Sequence, residues 1–310
     1  MEKNFLKGLI AAPFTPMATD GNINIQIIED YADLLIHSGV QGAFVCGTTG
    51  EGASLSLDEK KAVIKEWIRC SKDHIKIIAH VGGTCQSECA ELAEYASQNG
   101  ADAIAAMAPF FFKPQQAEEL LQFLTPIAGA APEVPFYYYH IPSLTGVFIP
   151  VHNILKQALD SIPNFTGVKY THSDMMDLQQ SIAMSDGRFE LLFGTDEMLI
   201  SGLGLGLQSA VGSTYNYMAP VYTTLIEAFS NGDFKKAREQ QQFSVQVVEI
   251  ILKYGGGVRG GKAIMELTGL DCGPCRSPLQ KFSIEEKKAL KKDLSDIGFF
   301  DRVQVDVAQS

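Results

Sequence analysis

Residues 42–82 read GAFVCGTTGEGASLSLDEKKAVIKEWIRCSKDHIKIIAHVG. The short apolar runs at the two ends, GAFVCG and IKIIAHVG, predict two buried strands. Between them, SLDEKKAVIKEWIRC predicts an amphipathic helix. Ser56 and Glu59 have the spacing of a capping box at its start, and Trp67 and Cys70 lie on one apolar face. The stretch therefore predicts one strand–helix–strand unit.

The same alternation runs along most of the chain. The strand candidates are residues 8–14, 42–47, 75–82, 102–109, 134–142, 165–171, 189–195 and 208–214. Eight such units in about 230 residues favour an α/β fold of the TIM (β/α)8 barrel type over an open doubly wound sheet. From residue 231 onward the patterns are helical only. The sequence thus predicts a catalytic barrel over residues 1–230 and a C-terminal helical extension over residues 231–310.

Composition excludes several classes of protein. With 46% hydrophobic and 20% charged residues, the chain reads as an ordinary globular protein. The 25 Lys+Arg against 36 Asp+Glu give a net charge of −11, which argues against a nucleic-acid partner. The N-terminal apolar run is broken by Pro13 and Pro16, so we expect neither a signal peptide nor a membrane span, and a cytoplasmic location.

The cysteines predict no disulfide framework. Six cysteines in 310 residues are too sparse for one, so reduced thiols are expected. Cys272 and Cys275 have the spacing of a redox motif, but such a motif opens a helix after a strand. This pair follows no strand and lies in a loop rich in glycine and proline, which disfavours a redox role.

In a TIM barrel the active site lies at the carboxyl ends of the strands, so polar residues there are the site candidates. They are Thr48, Thr49, Glu51, Tyr139, His140, Lys169, Thr171, Asp196, Glu197, Ser213 and Thr214. Lys169 follows an apolar run, and burial would favour its neutral amine, a nucleophile that forms imines with carbonyl compounds. The alternatives are an ion pair or an exposed head group at the barrel mouth. Tyr139 is either an acid/base or a core aromatic.

Two further segments leave their roles open. In CGTTGEGASLS, the glycines let backbone N–H groups approach a carboxylate, or they serve a plain loop that needs positive φ. Asp196 and Glu197 either bind substrate hydroxyls or cap the helix that follows them. One adjacent acid pair without clustered histidines is poor support for a metal site, and we expect no bound metal.

Three motifs together carry a family resemblance. GTTGE after strand 2, YHIPSLTG after strand 5 and GVKYT in strand 6 make residues 5–300 resemble the pyruvate-dependent class I aldolases, the family of dihydrodipicolinate synthase and N-acetylneuraminate lyase. The resemblance implies that Lys169 forms an imine with pyruvate and that Tyr139 carries the proton. It also implies that Thr48 and Thr49 hold the carboxylate of pyruvate, that no organic cofactor is needed, and that the protein is a homotetramer.

Other residues point to one branch of that family. This chain has Leu144 at the position where the synthase carries an arginine that meets its second substrate. It has Phe111 at the position where the synthase carries a tyrosine that enters the proton relay of a neighbouring subunit. FGTDEM and VGSTYN are similar to sugar-contacting segments. The similarity implies that the polyhydroxyl tail of a sugar acid is bound by Gly194, Asp196, Glu197 and Ser213, with Thr171 near the cleaved bond.

The resemblance therefore implies a lyase that reversibly cleaves N-acetylneuraminate to pyruvate and N-acetylmannosamine. Three alternatives remain open at this point. The chain is an aldolase or dehydratase for another 2-keto sugar acid, a dihydrodipicolinate synthase, or a noncatalytic sugar-acid sensor on the same scaffold. The lyase, the other aldolase or dehydratase and the sensor would each bind a small sugar acid, whereas the synthase would not. None of these four functions involves a membrane.

Overall fold

The computed structural model describes residues 6–71 and 74–303, and within these ranges eight parallel strands close into a barrel in chain order. The strands are β1 Gly8–Ala11, β2 Gly42–Val45, β3 Lys76–His80, β4 Ala103–Met107, β5 Phe136–His140, β6 Phe165–Tyr170, β7 Glu190–Phe193 and β8 Ser209–Gly212. The predicted TIM barrel is confirmed, with each strand inside its predicted run. The predicted runs extend beyond the strands by up to three residues at either end.

Helices separate the strands and cover the barrel. Up to the end of the barrel they are α1 Ile27–His37, α2 Leu57–Ser71, α3 Gln86–Gln98, α4 Ala117–Gly129, α5 Pro142–Thr145, α6 Val151–Ser161, α7 Met175–Ser185, α8 Leu199–Gly204 and α9 Tyr215–Ser230. Short 3-10 turns occupy Gly52–Ser54 and Asp196–Met198. The predicted capping box of α2 is present, since the Ser56 backbone N–H donates to Glu59 and the Glu59 N–H donates to Ser56 Oγ.

Two apolar cores lie on opposite sides of the strands. The barrel interior contains Phe44, Tyr137 and Tyr139, whereas Tyr138 and Tyr170 belong to the larger core between the barrel and its helices. This division follows from strand geometry, because successive side chains point to opposite faces. The tyrosines of β5 therefore have different surroundings according to their position along the strand.

The C-terminal helices are α10 Phe234–Lys253, α11 Gly256–Leu267, α12 Ile284–Asp296 and α13 Phe299–Arg302. They pack against the barrel, and Lys262 of α11 forms an ion pair of 2.7 Å with Glu51 in the β2 loop. The boundary at residue 230 stays a prediction, and residues 1–5 and 304–310 of the two predicted segments lie outside the described ranges. None of the helices within residues 6–71 and 74–303 is long and apolar enough to span a membrane.

Candidate active site

A cavity of about 270 Å³ opens at the carboxyl ends of the strands. Every residue that the sequence assigned to catalysis or substrate binding lines it: Thr48, Thr49, Tyr139, Lys169, Thr171, Gly194, Asp196, Glu197 and Ser213. These residues come from five loops or strand ends, and the barrel brings them together because all parallel strands end at the same edge. The opposite wall comes from α10 and α11, through Val248, Ile251, Leu252, Gly257 and Val258.

Lys169 lies inside the barrel with its head group against two aromatic rings. Its Nζ is 4.1 Å from the ring centroids of both Phe44 and Tyr139, and the residue is only 4% exposed. Burial lowers the pKa of Lys169 to about 7, although the negative charge of Asp196 acts in the opposite direction. The alternative of an exposed head group at the mouth is wrong, and the lowered pKa favours the neutral amine near pH 7 far more than in an exposed lysine.

Tyr139 is the neighbour of Lys169 across the sheet. The two residues are in register between β5 and β6, so both side chains point into the barrel. The Tyr139 hydroxyl lies 3.4 Å from Thr48 Oγ1, the first hydroxyl of the GTTGE loop. Because burial raises the pKa of Tyr139 to about 12, the side chain is a phenol at neutral pH and can donate a proton.

Thr171 and Gly194 form the next part of the wall. Thr171 Oγ1 is buried and lies near enough to the Tyr139 hydroxyl to lower the pKa of that phenol, but it makes no well-formed hydrogen bond among the described residues. A Cβ at position 194 would lie 2.0 Å from Thr171 Oγ1, so only glycine fits beside it. A buried hydroxyl without a well-formed hydrogen bond is costly in an empty site, and a bound ligand with a donor or acceptor would satisfy it.

The sequence suggested that glycines with positive φ shape the GTTGE loop, but Cys46 and Glu51 adopt positive φ instead. Their φ angles are 60° and 55°, whereas the glycines of the loop do not need positive φ. Gly52 is required by close approach instead, since a Cβ there would lie 2.0 Å from the Cys46 carbonyl oxygen. The buried Glu51 carboxylate pairs with Lys262 and accepts from the Arg276 backbone N–H at 2.8 Å. The loop is thereby fixed to the C-terminal helices.

Asp196 and Glu197 lie in the 3-10 turn after β7. Asp196 Oδ2 accepts from the backbone N–H of Thr214 at 2.9 Å and from its hydroxyl at 2.6 Å. The Asp196 carboxylate therefore ties β7 to the end of β8 rather than capping its own turn. Burial raises the pKa of Asp196 to about 6. Glu197 is half-buried on the cavity wall, and no cluster of metal-ligating side chains occurs in the part of the chain that the structure describes.

Two aromatic neighbours of Lys169 and Tyr139 were not predicted from the sequence. Phe44 lies under the Lys169 amine, and the His80 ring contacts the Tyr139 ring edge-to-face at 5.7 Å. Burial lowers the pKa of His80 to about 3, so its ring is neutral. The only signal for His80 in the sequence was its position at the end of β3. A histidine with a purely structural role can occupy the same kind of position. His140 faces the outer core instead, where its ring lies 5.2 Å from that of Tyr170.

A second, more apolar cavity of about 290 Å³ adjoins the first and shares Thr48 and Val258 with it. Leu144 lies on its wall with Met107 and Phe110. Leu144 therefore offers no charge to an anionic second substrate at this wall.

Cys272 and Cys275 have the spacing of a redox motif but not its structural setting, because they lie in a loop and not at the start of a helix. Both are free and buried in the loop after α11. Burial raises the pKa of the Cys272 thiol to about 12 and that of the Cys275 thiol to about 11. Since the thiolate is the reactive form, neither residue is primed for thiol chemistry.

Comparison with known proteins places this site in a family. The pattern of the Dihydrodipicolinate synthetase family matches residues 5–297. The chain belongs to that family. It is 44% identical over 301 residues to an N-acetylneuraminate lyase of Homo sapiens, a match that covers 96% of this chain and 94% of the relative.

Solved structures give the same result. An N-acetylneuraminate lyase of Proteus mirabilis superimposes with a TM-score of 0.92 at 38% identity, covering 95% of this chain and 99% of that one. A dihydrodipicolinate synthase of Bacillus anthracis superimposes with a TM-score of 0.87 at 26% identity, covering 93% and 97%. The family resemblance predicted from the three motifs is thus confirmed, and the chain is more similar to these lyases than to this synthase.

Proposed function

We propose that this protein is a carbon–carbon lyase that reversibly cleaves N-acetylneuraminate to pyruvate and N-acetylmannosamine through an imine on Lys169. The observation that carries the proposal is the pairing of a buried lysine, whose pKa burial lowers to about 7, with Tyr139 directly across the sheet. Such a lysine is a nucleophile near neutral pH, and it needs neither a metal nor an organic cofactor to activate a ketone.

The imine forms when the neutral amine of Lys169 attacks C2 of the open-chain sugar acid. The carboxylate beside C2 binds to the hydroxyls of Thr48 and Thr49, both on the cavity wall. A proton moves from the nitrogen to the oxygen of the carbinolamine, and the Tyr139 phenol then protonates that hydroxyl, which leaves as water. The products of this step are a cationic imine and a tyrosinate beside it, whose opposite charges stabilise each other.

Cleavage uses the same two groups. The tyrosinate accepts the proton of the C4 hydroxyl, the C3–C4 bond breaks, and its electron pair moves into the imine to give an enamine and an aldehyde. Tyr139 then donates its proton to C3 of the enamine, and water hydrolyses the pyruvate imine to regenerate the free amine. Thr171 Oγ1, buried and without a well-formed hydrogen bond among the described residues, is available to the hydroxyl at the cleaved bond.

The sugar tail defines the substrate class. One side of the cavity is lined by Asp196, Glu197 and Ser213, together with Gly194 directly after β7. These residues offer acceptors for several hydroxyls. A site built to bind hydroxyls rejects analogues that lack them, because its own buried groups would stay unpaired. The identity of 38–44% to N-acetylneuraminate lyases supports N-acetylneuraminate as the sugar acid.

Pyruvate release from a panel of sugar acids tests this proposal. We expect N-acetylneuraminate to give the highest kcat/KM, and 2-keto acids without tail hydroxyls to be cleaved at least about 10²-fold less well. Preferential cleavage of another sugar acid would keep the aldolase chemistry and change the substrate. Binding of N-acetylneuraminate without pyruvate release would instead support a noncatalytic sensor. Formation of a pyridine dicarboxylate precursor from pyruvate and aspartate semialdehyde would favour the synthase.

The activity is expected to rise with pH on its acidic side. Lys169 must be neutral to attack, so kcat/KM should increase up to about pH 7, where burial has moved the pKa of Lys169, and then level off. Asp196 raises the pKa of Lys169, so Asp196→Asn should move the midpoint for borohydride trapping of pyruvate to lower pH. A midpoint near the ordinary lysine pKa of about 10.4 would contradict the buried, desolvated amine.

The proposal includes a homotetramer as the assembly. In a single chain the side chains of Phe111 and Phe112 are 75% and 86% exposed, and Phe148 is 65% exposed. The rings of Phe111 and Phe112 contact each other edge-to-face at 5.0 Å, and an exposed pair of aromatic side chains is typical of an interaction surface. Light scattering of the full chain would give the mass of the assembly. A cytoplasmic location stays a prediction from the sequence.

A further inference from the structure

The turn that carries Asp196 and Glu197 is held by a side chain from the C-terminal helices. Gln241, on α10, donates from Nε2 to the backbone oxygen of Asp196 at 3.1 Å. Its Oε1 accepts from the backbone N–H of Ile200 at 2.9 Å. These two backbone groups are four residues apart, the separation that an α-helix joins by a direct hydrogen bond. The Gln241 amide therefore takes the place of one helical hydrogen bond.

This bridge keeps the segment in its 3-10 form. The backbone N–H of Leu199 donates to the Asp196 oxygen, which is the i to i+3 bond of a 3-10 turn. Without Gln241, the Asp196 oxygen and the Ile200 N–H could pair directly, and the turn would relax toward an α-helix. Successive side chains are about 120° apart in a 3-10 turn and about 100° apart in an α-helix. Gln241 thus sets the direction of Glu197 relative to Asp196.

Two separate sets of hydrogen bonds hold Asp196. In the first, Gln241 Nε2 also donates to Ser244 Oγ at 2.7 Å, and Ser244 Oγ donates to the Gln241 backbone oxygen at 2.8 Å. In the second, the Tyr222 hydroxyl lies 2.7 Å from Thr214 Oγ1, which donates to Asp196 Oδ2. The first set holds the backbone of Asp196 and the second holds its carboxylate. Ser244, Tyr222 and Thr214 are buried, where a broken polar network is costly.

We propose that Gln241 is a positioning residue that sets the affinity for the sugar tail. This inference rests on the proposed function, in which Asp196 and Glu197 contact the tail hydroxyls. Gln241 is not part of the cavity wall and acts through the turn, whereas Lys169 and Tyr139 lie on β6 and β5 and take no part in these hydrogen bonds. Removing the bridge should therefore weaken binding of the tail and leave imine formation with pyruvate intact.

The test is Gln241→Met, which keeps the length of the side chain and removes its hydrogen bonds. We expect KM for N-acetylneuraminate to rise about tenfold, as loss of one or two hydrogen bonds implies, with kcat changed less than about twofold. Borohydride trapping of pyruvate on Lys169 should be unchanged. The matched control is Gln242→Met, the same substitution at the next position of α10, where the side chain is exposed. It should leave both readouts at the parent values.

A second variant guards against general damage to the fold. Tyr222→Phe removes the hydroxyl that bonds Thr214, the residue that holds the Asp196 carboxylate, and should also raise KM, with trapping of pyruvate unchanged. An unchanged KM in both variants would overturn the inference, and so would an equal loss of trapping and cleavage in both. A parent protein that cleaves a different sugar acid would overturn the proposed substrate only. The same KM comparison, made with that acid, would then decide the role of Gln241.

Discussion

The Lys169→Ala variant is expected to release no measurable pyruvate from N-acetylneuraminate. The lysine supplies the only amine on the wall of the described cavity, and without an imine the C3–C4 bond has no electron sink. Removal of the covalent nucleophile of a well-studied hydrolase costs about 10⁶-fold in kcat, so we expect a loss of at least about 10⁴-fold here. A coupled pyruvate assay at high enzyme concentration would measure the loss.

Borohydride trapping provides the direct readout for the same variant. In the parent protein, reduction in the presence of pyruvate should modify the peptide that contains Lys169, and the variant should lose this adduct. Lys235→Ala is the matched control, because Lys235 is an exposed lysine on α10. Near-normal cleavage by Lys169→Ala, or an adduct that persists on another lysine, would refute the mechanism.

The Tyr139→Phe variant should retain imine formation and lose most of its turnover. Phenylalanine fills the same space beside Phe44 and His80 but has no hydroxyl to pass a proton to the carbinolamine or to accept one from C4. General acid–base groups contribute about 10²–10⁴-fold, so kcat should fall by at least about 10²-fold. Single-turnover measurements with N-acetylneuraminate would show whether imine formation or bond cleavage is slowed more.

The adjacent residue offers a control of the same chemistry. Tyr138→Phe removes a hydroxyl one position earlier on β5, but this side chain faces the outer core, where its hydroxyl lies 3.5 Å from His140 Nδ1. It should leave kcat within about twofold of the parent, because the outer core touches no reacting atom. Equal losses in the two variants would mean that the proton does not pass through Tyr139.

The barrel could be predicted from the sequence because its signal is local and repeated. Each strand candidate is a short apolar run followed by an amphipathic helix, so eight similar units support one another. The candidate site was predicted for a related reason. In a parallel barrel, every polar residue at the carboxyl end of a strand lies at the same edge. The positions of Lys169 and Asp196 along the chain are therefore enough to predict that both lie there.

Other parts of the site depend on contacts that no local pattern encodes. Val248, Ile251 and Leu252 repeat at helical spacing on α10, and the same spacing is equally typical of any packed helix. Gln241 is one of three consecutive glutamines, and nothing in the sequence distinguishes it from Gln242. The positive φ of Glu51 was missed because tertiary contacts with Lys262 and Arg276, rather than a glycine, hold that conformation.

The two walls of the cavity have different origins in the chain. Lys169 and Tyr139, which we propose form and break bonds, come from the strands, while α10 and α11 supply the facing surface. Substitutions in these helices can alter the shape of that surface without disturbing a reacting group. Mutation and selection can therefore give descendants of one ancestral aldolase different sugar acids while the imine-forming lysine is inherited unchanged. This is one physical route by which a single fold comes to serve many substrates.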